Sequence, residues 1–443
     1  MRSAYTREDV LEKAREYNVQ FIRLQFTDIF GVFKNIAVTI DELPRVLEGK
    51  VSFDSSVLEG LVGNRTRDIY LLPDPATFVV FPWRPREGAV ARLICDVVTP
   101  QGEPFGACSR HVLKKVLKAA REAGYGLQVG AEMDFFLFHL DQQGKPTVVT
   151  HDQAGYCDLT PVDLGENARR DMVLTLKEMG FDVSSSHHEI APGQHQIFLK
   201  EENPLTMADQ IATFRFVVRT IAQRHGLHAS FMPKPFAGLN GSGLHLHFSL
   251  PAEEESASRQ ASRQAAGPFI AGLLEHAAAL TAVANPLVNS YKRLAFSGLA
   301  PAVAGWSSGS RNTMIRVPDR QNPLSSFVLR SPDAAANPYL VIAVAVAAGL
   351  DGAARGQELP PALDGFLAGE TSASGDEKEK DREQRRLPRN LGEALCALDR
   401  DELVRRVLGE QITRLFRQVK ETEWQRFESQ VHQWELDEYL ANY

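Results

Sequence analysis

Acidic and imidazole side chains occur with strand-like spacing in several segments of this chain. Glu132 and Asp134 are two residues apart in a β-rich run, so both face the same side of a strand. His245 and His247 have the same spacing in a later run. Carboxylates with an occasional imidazole are the ligands that Mg²⁺ and Mn²⁺ prefer, so the sequence indicates a hard divalent cation rather than zinc. Taken alone, the run with Glu132 and Asp134 is more typical of a solvated strand face, and the run with His245 and His247 is also compatible with a polar sheet face.

The segment from residue 186 to 197 reads as two short extended runs around a Pro-Gly turn. We expect a hairpin that puts Glu189 opposite Gln196, with three imidazoles nearby. Gln196 has an amide where a second acid would complete a cation site. The hairpin therefore predicts a metal site that lacks one acid.

A nucleotide would have to be held without either of the common phosphate-binding loops. The chain has no Gly-x-x-x-x-Gly-Lys-Ser/Thr motif, and no Gly-x-Gly-x-x-Gly run leads from a strand into a helix. Five arginines within one forty-residue stretch are enough to bind phosphates and a dicarboxylate, although they are equally compatible with an ordinary surface. They are Arg293, Arg311, Arg316, Arg320 and Arg330.

Composition excludes several classes of protein. The 443 residues carry a net charge of -7, with bases mixed among acids, so nucleic acid is not an expected partner. The four cysteines are scattered, which indicates neither a disulfide framework nor a Cys-x-x-Cys zinc site. The longest apolar stretch, from Tyr339 to Leu350, is too short to span a bilayer. We expect a cytoplasmic protein with no membrane contact.

Hydrophobic periodicity predicts an α+β protein in two parts. Thr6 is a candidate N-cap for a first helix, and short β-rich runs fill the rest of the first hundred residues. Longer helices then alternate with strands, including one helix predicted from Pro268 to Ala284. From about Arg400 the apolar positions keep a helical period to the end of the chain. Two polar stretches, 252–266 and 371–390, read as solvated loops.

Several motifs follow one another in a specific order along the chain. Besides Glu132 and Asp134 they are Asp54-Ser-Ser, Phe81-Pro-Trp, Ser186-His-His-Glu-Ile-Ala-Pro-Gly-Gln-His, Phe231-Met-Pro-Lys-Pro, Asn240-Gly-Ser-Gly-Leu-His, Asn289-Ser-Tyr-Lys-Arg-Leu and Asn337-Pro-Tyr. In the identity and order of these motifs, the chain resembles bacterial type I glutamine synthetase over nearly its whole length. It most resembles the short Gram-positive form, which lacks the adenylylated segment.

The resemblance implies a glutamine synthetase-like α+β fold. It predicts an N-terminal β-grasp domain over residues 1–105 and a catalytic-type half-barrel domain with C-terminal helices over residues 106–443. It also implies a homo-oligomer, a dodecamer of two hexameric rings, with active sites between neighbouring subunits. In the family, ATP phosphorylates the side-chain carboxylate of glutamate and ammonia displaces the phosphate, with Mg²⁺ or Mn²⁺ as cofactor.

Each predicted site residue matches a family position. The metal ligands are Glu132, Asp134, Glu189, Gln196 and His245; the substrate-binding residues are Asn240, Gly241, Arg293 and Arg330; the nucleotide-binding residues are His247 and Ser249; and the catalytic residues are Asp54 and Arg316.

The chain departs from the family pattern at several of these positions. Asp134 and Gln196 each stand where the family has Glu, Val328 replaces a metal-binding Glu, and Leu299 replaces the acid of the active-site flap. Gln321 and Ser326 replace two arginines that serve ATP, and Gly63 replaces an arginine linked to feedback inhibition.

From these departures we expect weakened binding of metal and ATP. They predict a protein that has lost most or all glutamate-ammonia ligase activity and acts as an oligomeric scaffold, as the partner of an active glutamine synthetase paralogue, or as a sensor of nitrogen metabolites. The alternative is an active ATP-dependent glutamate-ammonia or glutamate-amine ligase with an altered metal site, in which Leu299 suits a bulkier acceptor. A third possibility, a metal-binding protein of unrelated chemistry on the same fold, has no positive feature in the sequence.

Overall fold

The computed structural model describes residues 5–59, 67–85, 87–250, 259–295, 300–318, 325–364 and 385–443. Four positions discussed above, Gly63, Leu299, Arg320 and Gln321, lie outside these described residues.

The N-terminal part is a five-stranded sheet with short helices against it. Its first helix begins at Thr6, whose side chain accepts a hydrogen bond from the backbone N–H of Asp9, while the Asp9 side chain accepts from Thr6 in return. The sheet order is β2-β1-β5-β4-β3, with β1 and β5 parallel. Its elements are α1 (Arg7–Glu16), β1 (Val19–Thr27), β2 (Phe33–Thr39), a 3₁₀ turn (Ile40–Glu42), α2 (Leu43–Leu47), β3 (Val51–Asp54), α3 (Ser56–Glu59), β4 (Asp68–Val80) and β5 (Ala89–Val98).

The larger part contains a nine-stranded curved sheet backed by helices. Its strand order is β12-β13-β14-β11-β6-β9-β8, and β7 and β10 also pair with β6. The strands are β6 (Gln128–Leu140), β7 (Pro146–Thr150), β8 (Val183–His188), β9 (Gln194–Glu202), β10 (Leu227–Ser230), β11 (Leu244–Ser249), β12 (Val303–Ser307), β13 (Thr313–Arg316) and β14 (Ser326–Leu329). The helices are α4 (Ser109–Glu122), α5 (Glu166–Glu178), α6 (Pro204–Arg224), α7 (Arg259–Glu275), α8 (Ala277–Ala284), α9 (Val288–Ala295), α10 (Pro338–Ala354), α11 (Leu391–Arg400), α12 (Glu402–Glu428) and α13 (Gln433–Tyr439).

The predicted fold class, a β-grasp domain followed by a catalytic-type domain with C-terminal helices, is confirmed. Three details differ from the sequence prediction. Residues 259–266, predicted as part of a solvated loop, belong to helix α7. The helix expected from Pro268 to Ala284 is two helices, α7 and α8, which meet at His276 with a bend of 75°. The long C-terminal helix α12 is kinked at Gly409, which has a φ of 78° that glycine adopts more readily than other residues.

One continuous hydrophobic core extends through both parts. Alternation along β6 directs Ala131, Met133 and Phe135 into this core, while Glu132 and Asp134 face the other way. Helix α10 is apolar on all sides and almost wholly buried, so it occupies the centre of the helical layer. The sheet therefore has one face against helices and one face free to form a site.

A buried ion network joins the two parts. Arg110 of α4 forms two hydrogen bonds of 2.9 and 2.8 Å with Asp209 of α6, and it also reaches Asp74 and Asp96 of the N-terminal sheet. Paired in this way, the buried guanidinium ties α4 and α6 to the N-terminal sheet.

Among the described residues, no single helix is long and apolar enough to cross a membrane. One bent pair, Ala266–Glu275 with Ala277–Ala284, reaches that length and composition only when the two helices are taken together.

Candidate active site

The register of the large sheet brings predicted ligands from distant segments together. In one row across the sheet, His245 of β11 pairs with Glu132 of β6. In the adjacent row, Asp134 of β6 pairs with Gln196 of β9, which pairs with His187 of β8. Side chains in neighbouring rows on one sheet face are close in space, so these residues form a single polar surface.

A cavity of about 290 Å³ opens on this face. Ten of the predicted site residues line it, namely Glu132, Asp134, Glu189, Gln196, Asn240, Gly241, His245, Arg293, Arg316 and Arg330. The lining also includes Tyr156, His187, Gln194, Lys234 and Arg311, which were not predicted as site residues. Period-two alternation could have found two of these, because His187 is two residues before Glu189 and Gln194 is two residues before Gln196.

The predicted register of the hairpin was wrong by two residues on one strand. The backbone N–H of Glu189 donates to the carbonyl of Gln194 at 2.7 Å, and Gln196 lies opposite His187. The reason is the tight turn, in which the N–H of Gln194 also donates to the carbonyl of Ala191. Glu189 and Gln196 still line the same cavity because a shift of two residues preserves the face.

Asp134, Glu189 and Gln196 form what we call the hairpin wall of the cavity. Gln196 Nε2 donates to Asp134 Oδ1 at 2.8 Å, and the backbone N–H of Gly243 donates to Asp134 Oδ2 at 2.9 Å. Burial, together with the charge of Glu189, raises the pKa of Asp134 to about 7. The amide nitrogen of Gln196 is committed to Asp134, so its oxygen remains as a possible cation ligand. The wall thus presents oxygen donors from all three side chains.

Glu132 and His245, in the adjacent row of the sheet, form what we call the histidine wall. Glu132 Oε2 lies 3.0 Å from His245 Nδ1, and Glu132 Oε1 lies 2.9 Å from His247 Nε2. Burial opposes ionisation of Glu132, but the hydrogen bonds from both histidines hold its pKa well below the usual value. Burial and the charge of Arg330 lower the pKa of His245 to about 4, so this imidazole is neutral at pH 7.

Val328 contributes no ligand to the histidine wall. It lies directly across the strand pair from His247 and, on its other side, from Arg316, which places it on the cavity face of the sheet. Its side chain is buried, with 5% of its surface exposed. A valine here packs against its neighbours and offers neither a charge nor a lone pair.

Cationic groups surround the acids. Five basic side chains, Lys234, Arg293, Arg311, Arg316 and Arg330, line the cavity alongside three acidic ones. Burial, followed by the charge of Arg293, lowers the pKa of Arg330 to about 10. Arg293 is anchored by hydrogen bonds to the carbonyls of Arg330 and Ser331. This excess of positive charge suits phosphates and carboxylates.

The segment at Asn240 and Gly241 approaches the cavity closely through its backbone. A Cβ atom at Gly241 would lie 2.1 Å from the carbonyl oxygen of Pro233, so only glycine fits. The Gly241 carbonyl accepts a hydrogen bond from Gln194 Nε2 at 3.1 Å. The glycine-rich sequence thus lets main chain form part of the cavity wall.

Three predicted residues do not line this cavity within the chain. Asp54 accepts a hydrogen bond from the backbone N–H of Ser56, Ser249 donates to Glu201, and His247 donates to Glu132. His247 is half-buried beside the ring of Phe198, with ring centroids 4.8 Å apart. The expected flap residue Leu299 and the ATP-linked position Gln321 are outside the described part of the chain.

The cavity residues fit a hard divalent cation. The two walls supply carboxylate oxygens, an amide oxygen and a neutral imidazole, which is the donor set for Mg²⁺ or Mn²⁺. Glu132 Oε2 accepts the hydrogen bond of 3.0 Å from His245 Nδ1, so the lone pair of the neutral imidazole is on Nε2 and is available to a cation.

A second group of potential ligands lies behind the hairpin. Asp152, Asp163, His188 and His195 are buried, and their ligand atoms lie within 4.8 Å of one another. Arg169 already supplies a positive charge there, donating to Asp163 and lying 2.8 Å from His195 Nδ1. A guanidinium can only donate, so Nδ1 accepts and the proton of neutral His195 is on Nε2. This imidazole has no lone pair left for a metal, so the group fits a hydrogen-bonded network better than an ion site.

Two family descriptions match the sequence. "Glutamine synthetase, catalytic domain" matches residues 106–439, and "Glutamine synthetase, beta-Grasp domain" matches residues 18–100. The chain belongs to the glutamine synthetase family.

Relatives in this family align along the full chain. The chain is 46% identical over 444 residues to a protein named glutamine synthetase from Clostridium saccharobutylicum, covering 99% of both chains. It is 47% identical over 448 residues to glutamine synthetase from Thermus thermophilus, covering 99% of this chain and 100% of the relative. Among solved structures, one described as "GmaS/ADP complex-Conformation 1" has a TM-score of 0.85 at 30% identity, covering 98% of this chain and 99% of that one. A glutamine synthetase from Plasmodium falciparum, at 22% identity and a TM-score of 0.84 over 99% of both chains, shares the fold.

These comparisons bear on the expected loss of ligase activity. Relatives named glutamine synthetase match at 44 to 47% identity over nearly the whole chain, and nothing in them supports a non-catalytic scaffold. The alternative of an active ligase agrees with them better.

Proposed function

We propose that this protein is an ATP-dependent ligase that activates the side-chain carboxylate of glutamate by phosphorylation and joins it to ammonia or another amine. The observation that carries the proposal is the cavity itself, where three carboxylates and a neutral imidazole face five basic side chains. Its acids suit a divalent cation, and its arginines suit the phosphates and the substrate carboxylates. The likeness at 30% identity to a structure described as an ADP complex further supports a nucleotide ligand.

We assign the cation to the two walls. Asp134, Glu189 and the oxygen of Gln196 would hold one Mg²⁺ or Mn²⁺, and Glu132 with His245 would hold a second with one ligand fewer. When bound, such an ion neutralises negative charge on the phosphates of ATP. The neutral state of His245 favours this role, because an imidazolium cannot ligate a metal.

The remaining side chains orient the reactants. Arg293 and Arg330, with the main chain at Asn240 and Gly241, are proposed to hold the carboxylates of glutamate, since a guanidinium matches a carboxylate bidentately. Arg316 is placed to donate to the transferring phosphoryl group, where negative charge develops. His247 and Ser249 are assigned to the nucleotide, and Asp54 to catalysis in the site of a neighbouring subunit.

We further propose a homo-oligomer, and specifically a dodecamer of two hexameric rings located in the cytoplasm. Asp54 does not line the cavity of its own chain, which agrees with a site completed by a neighbour. Large apolar side chains are also exposed on the isolated chain, among them Val148, Leu159, Trp434 and Leu440 with 62 to 76% of their surface accessible. Light scattering of the purified protein would give the subunit number, and co-purification would reveal an active glutamine synthetase paralogue as a partner.

A second candidate function is ligand binding without turnover, in a scaffold or sensor. The specific observation in its favour is Val328, which leaves the histidine wall without a third ligand. Binding of glutamate and nucleotide would then persist while phosphoryl transfer is lost.

One experiment separates the two functions. Phosphate release is measured with ATP, glutamate and Mn²⁺, first with ammonia and then with a panel of primary amines. The matched control is the Arg330→Gln variant, which removes a proposed substrate-binding charge. Turnover that depends on glutamate and disappears in this variant supports the ligase. Nucleotide binding without phosphate release for any amine would exclude the ligase and leave the binding function.

A further inference from the structure

The face of the β8–β9 hairpin that points away from the cavity carries a buried polar network. His188 and His195 have no exposed surface, and their rings meet edge to face at a centroid distance of 4.7 Å. The ring nitrogens of His188 lie 2.6 Å from the carbonyl of Glu189 and 2.8 Å from Asp152 Oδ1. A carbonyl oxygen only accepts, so Nδ1 of His188 donates to Glu189. The buried imidazole thus connects Asp152 directly to the main chain of a cavity residue.

We propose that Asp152 is a positioning residue that holds Glu189 and Tyr156 at the cavity wall without contacting the ligands itself. The proposal rests on the role of Glu189 as a metal ligand in the proposed function. Asp152 is absent from the described cavity lining, and its side chain is fully buried behind the hairpin.

On the hairpin side, Asp152 fixes the turn that follows Glu189. The backbone N–H of Gly193 donates to Asp152 Oδ1 at 2.9 Å. Gly193 has a φ of 64°, and a Cβ atom there would lie 3.0 Å from the carbonyl oxygen of Leu137 and 2.9 Å from Thr150. The turn is therefore packed against β6 and β7, and the Asp152 carboxylate holds both of its ends, at Gly193 and, through His188, at Glu189.

On the other side, the same carboxylate organises the loop that carries Tyr156. Asp152 Oδ1 accepts from the backbone N–H of Ala154 at 3.3 Å, and the N–H of Cys157 donates to the carbonyl of His188 at 3.0 Å. Between these two anchors, Tyr156 lines the cavity with its ring edge-on to that of His187, at a centroid distance of 5.4 Å. One buried oxygen atom thus aligns two segments that meet beside the metal ligands.

This arrangement has a consequence for metal affinity. A metal ligand whose backbone is held in place loses little freedom on binding, and loss of an outer partner of a ligand lowers metal affinity by about 10 to 100-fold. Glu189 accepts hydrogen bonds at its carboxylate from the N–H of Ile190, and Oε1 lies 3.1 Å from His187 Nε2. Its backbone is held at the N–H by the carbonyl of Gln194 and at the carbonyl by His188, which Asp152 orients.

The test is to measure Mn²⁺ binding to the full-length protein. The electron paramagnetic resonance signal of free Mn²⁺ reports how much of the ion remains unbound. Asp152→Asn replaces the carboxylate by a weaker acceptor of the same size, and we expect Mn²⁺ affinity to fall by about tenfold. The matched control is Asp163→Asn, because Asp163 is equally buried in the same network but bonds to Arg169 rather than to the hairpin. We expect this control to lower thermal stability while leaving Mn²⁺ affinity within about twofold of the unmodified protein.

A second pair of variants tests the same link if Asp152→Asn does not fold. The amide nitrogen of asparagine can take the place of His188 Nδ1, whereas that of glutamine reaches the place of Nε2. His188→Asn therefore keeps the hydrogen bond to Glu189, and His188→Gln loses it. His188→Asn in turn loses the contact with Asp152, so each change breaks the connection from Asp152 to Glu189, and we expect weaker Mn²⁺ binding in both variants.

The outcomes separate this inference from the proposed function. If the unmodified protein binds no Mn²⁺, the proposed metal site is wrong. If it binds Mn²⁺ and Asp152→Asn binds equally well, or if the Asp163→Asn control loses as much affinity, the positioning role of Asp152 is wrong and the metal site stands. Mn²⁺ affinity equal to that of the unmodified protein in both His188→Asn and His188→Gln would overturn the inference in the same way.

Discussion

The two walls of the cavity are built on adjacent rows of one sheet, yet they differ in what they offer a cation. The hairpin wall keeps an oxygen donor at all three positions, and Asp134 and Gln196 are joined by a hydrogen bond of 2.8 Å. The histidine wall keeps Glu132 and His245, and the buried Val328 on the same face of the sheet adds no ligand to it. Substitution of an acid by an amide preserves a possible ligand, whereas substitution by valine removes it. We therefore expect the hairpin wall to bind metal more tightly.

The largest predicted effect comes from removing one carboxylate from each wall. Glu189→Gln should weaken Mn²⁺ binding by at least about 100-fold, because a lost charge near a dication in a partly buried site is worth several kcal/mol. Glu132→Gln should cost only about tenfold, since this carboxylate already accepts from His245 and His247 and its wall is incomplete. Both would be measured by Mn²⁺ titration. Equal losses of Mn²⁺ affinity in the two variants would contradict the expected difference between the two walls.

Restoring an acid to the histidine wall should have the next largest effect. Val328→Glu is expected to lower the stability of the metal-free protein by about 1 to 3 kcal/mol, because a buried polar group lacks a full set of partners. The same acid should raise Mn²⁺ affinity by about tenfold. Thermal unfolding with and without Mn²⁺ measures both effects. The control is Val328→Gln, which has the size of glutamate without the charge, and an equal gain in that variant would contradict the expectation.

Restoring the acid of the hairpin wall should change less. Gln196→Glu replaces an N–H donor beside Asp134 with a second carboxylate, so the metal-free protein should lose about 1 kcal/mol of stability. Mn²⁺ affinity should rise only a few-fold, because the oxygen of Gln196 is already available as a ligand. Calorimetric titration with Mn²⁺ would measure it. If Mn²⁺ affinity rose more in Gln196→Glu than in Val328→Glu, the hairpin wall rather than the histidine wall would be the one that gains more from a restored acid.

Protonation of His276, which lies away from the cavity, should change the stability of the protein without changing Mn²⁺ binding at either wall. His276, at the bend between α7 and α8, lies 2.7 Å from Asp401 and 3.3 Å from Asp351, with Arg355 and Glu275 also close by. Burial lowers its pKa, but the hydrogen bond to Asp401 and the charges of both acids outweigh burial and raise it.

The sign of this pH effect follows from the raised pKa. The folded protein holds the proton of His276 more tightly than the unfolded chain does, so the stabilisation is fully present below pH 6.5 and is lost as the pH rises through the higher folded pKa. We expect His276→Gln to remove about 1 to 2 kcal/mol of stability at pH 6 and less at pH 8, with Mn²⁺ affinity unchanged. Urea unfolding at the two pH values measures it. A pH-independent loss would show that the protonated imidazole is not the source.

Much of the fold could be predicted because its signals are local. The Thr6 cap, the β-rich runs of the first hundred residues and the apolar period of α12 each depend on residues close in sequence. The bend at His276 was missed since residues on both sides of it are good helix formers, and the interactions that hold it come from Asp351 and Asp401 in other helices.

The sequence predicted many of the residues that line the cavity, but it did not predict how they are arranged in space. Alternation placed Glu132 and Asp134 on one face, and both line the cavity. Lys234 and Tyr156 were missed because neither has spacing that points to a ligand, and each reaches the cavity only through its loop. The pairing of Glu189 was wrong because the length of a turn depends on hydrogen bonds that its residue types do not specify uniquely.

The sequence by itself determined the family, the fold class and the chemical types available for a site, because motifs and periodicity reside in the order of the residues. The tertiary structure decided which of these residues meet. Strand register joined Asp134 to Gln196, placed Val328 on the cavity face and left His188 and His195 on the opposite face of the hairpin with Asp152. Such contacts join segments that are far apart in the sequence, as with His247 and Val328, and only the packed sheet sets the distances between them.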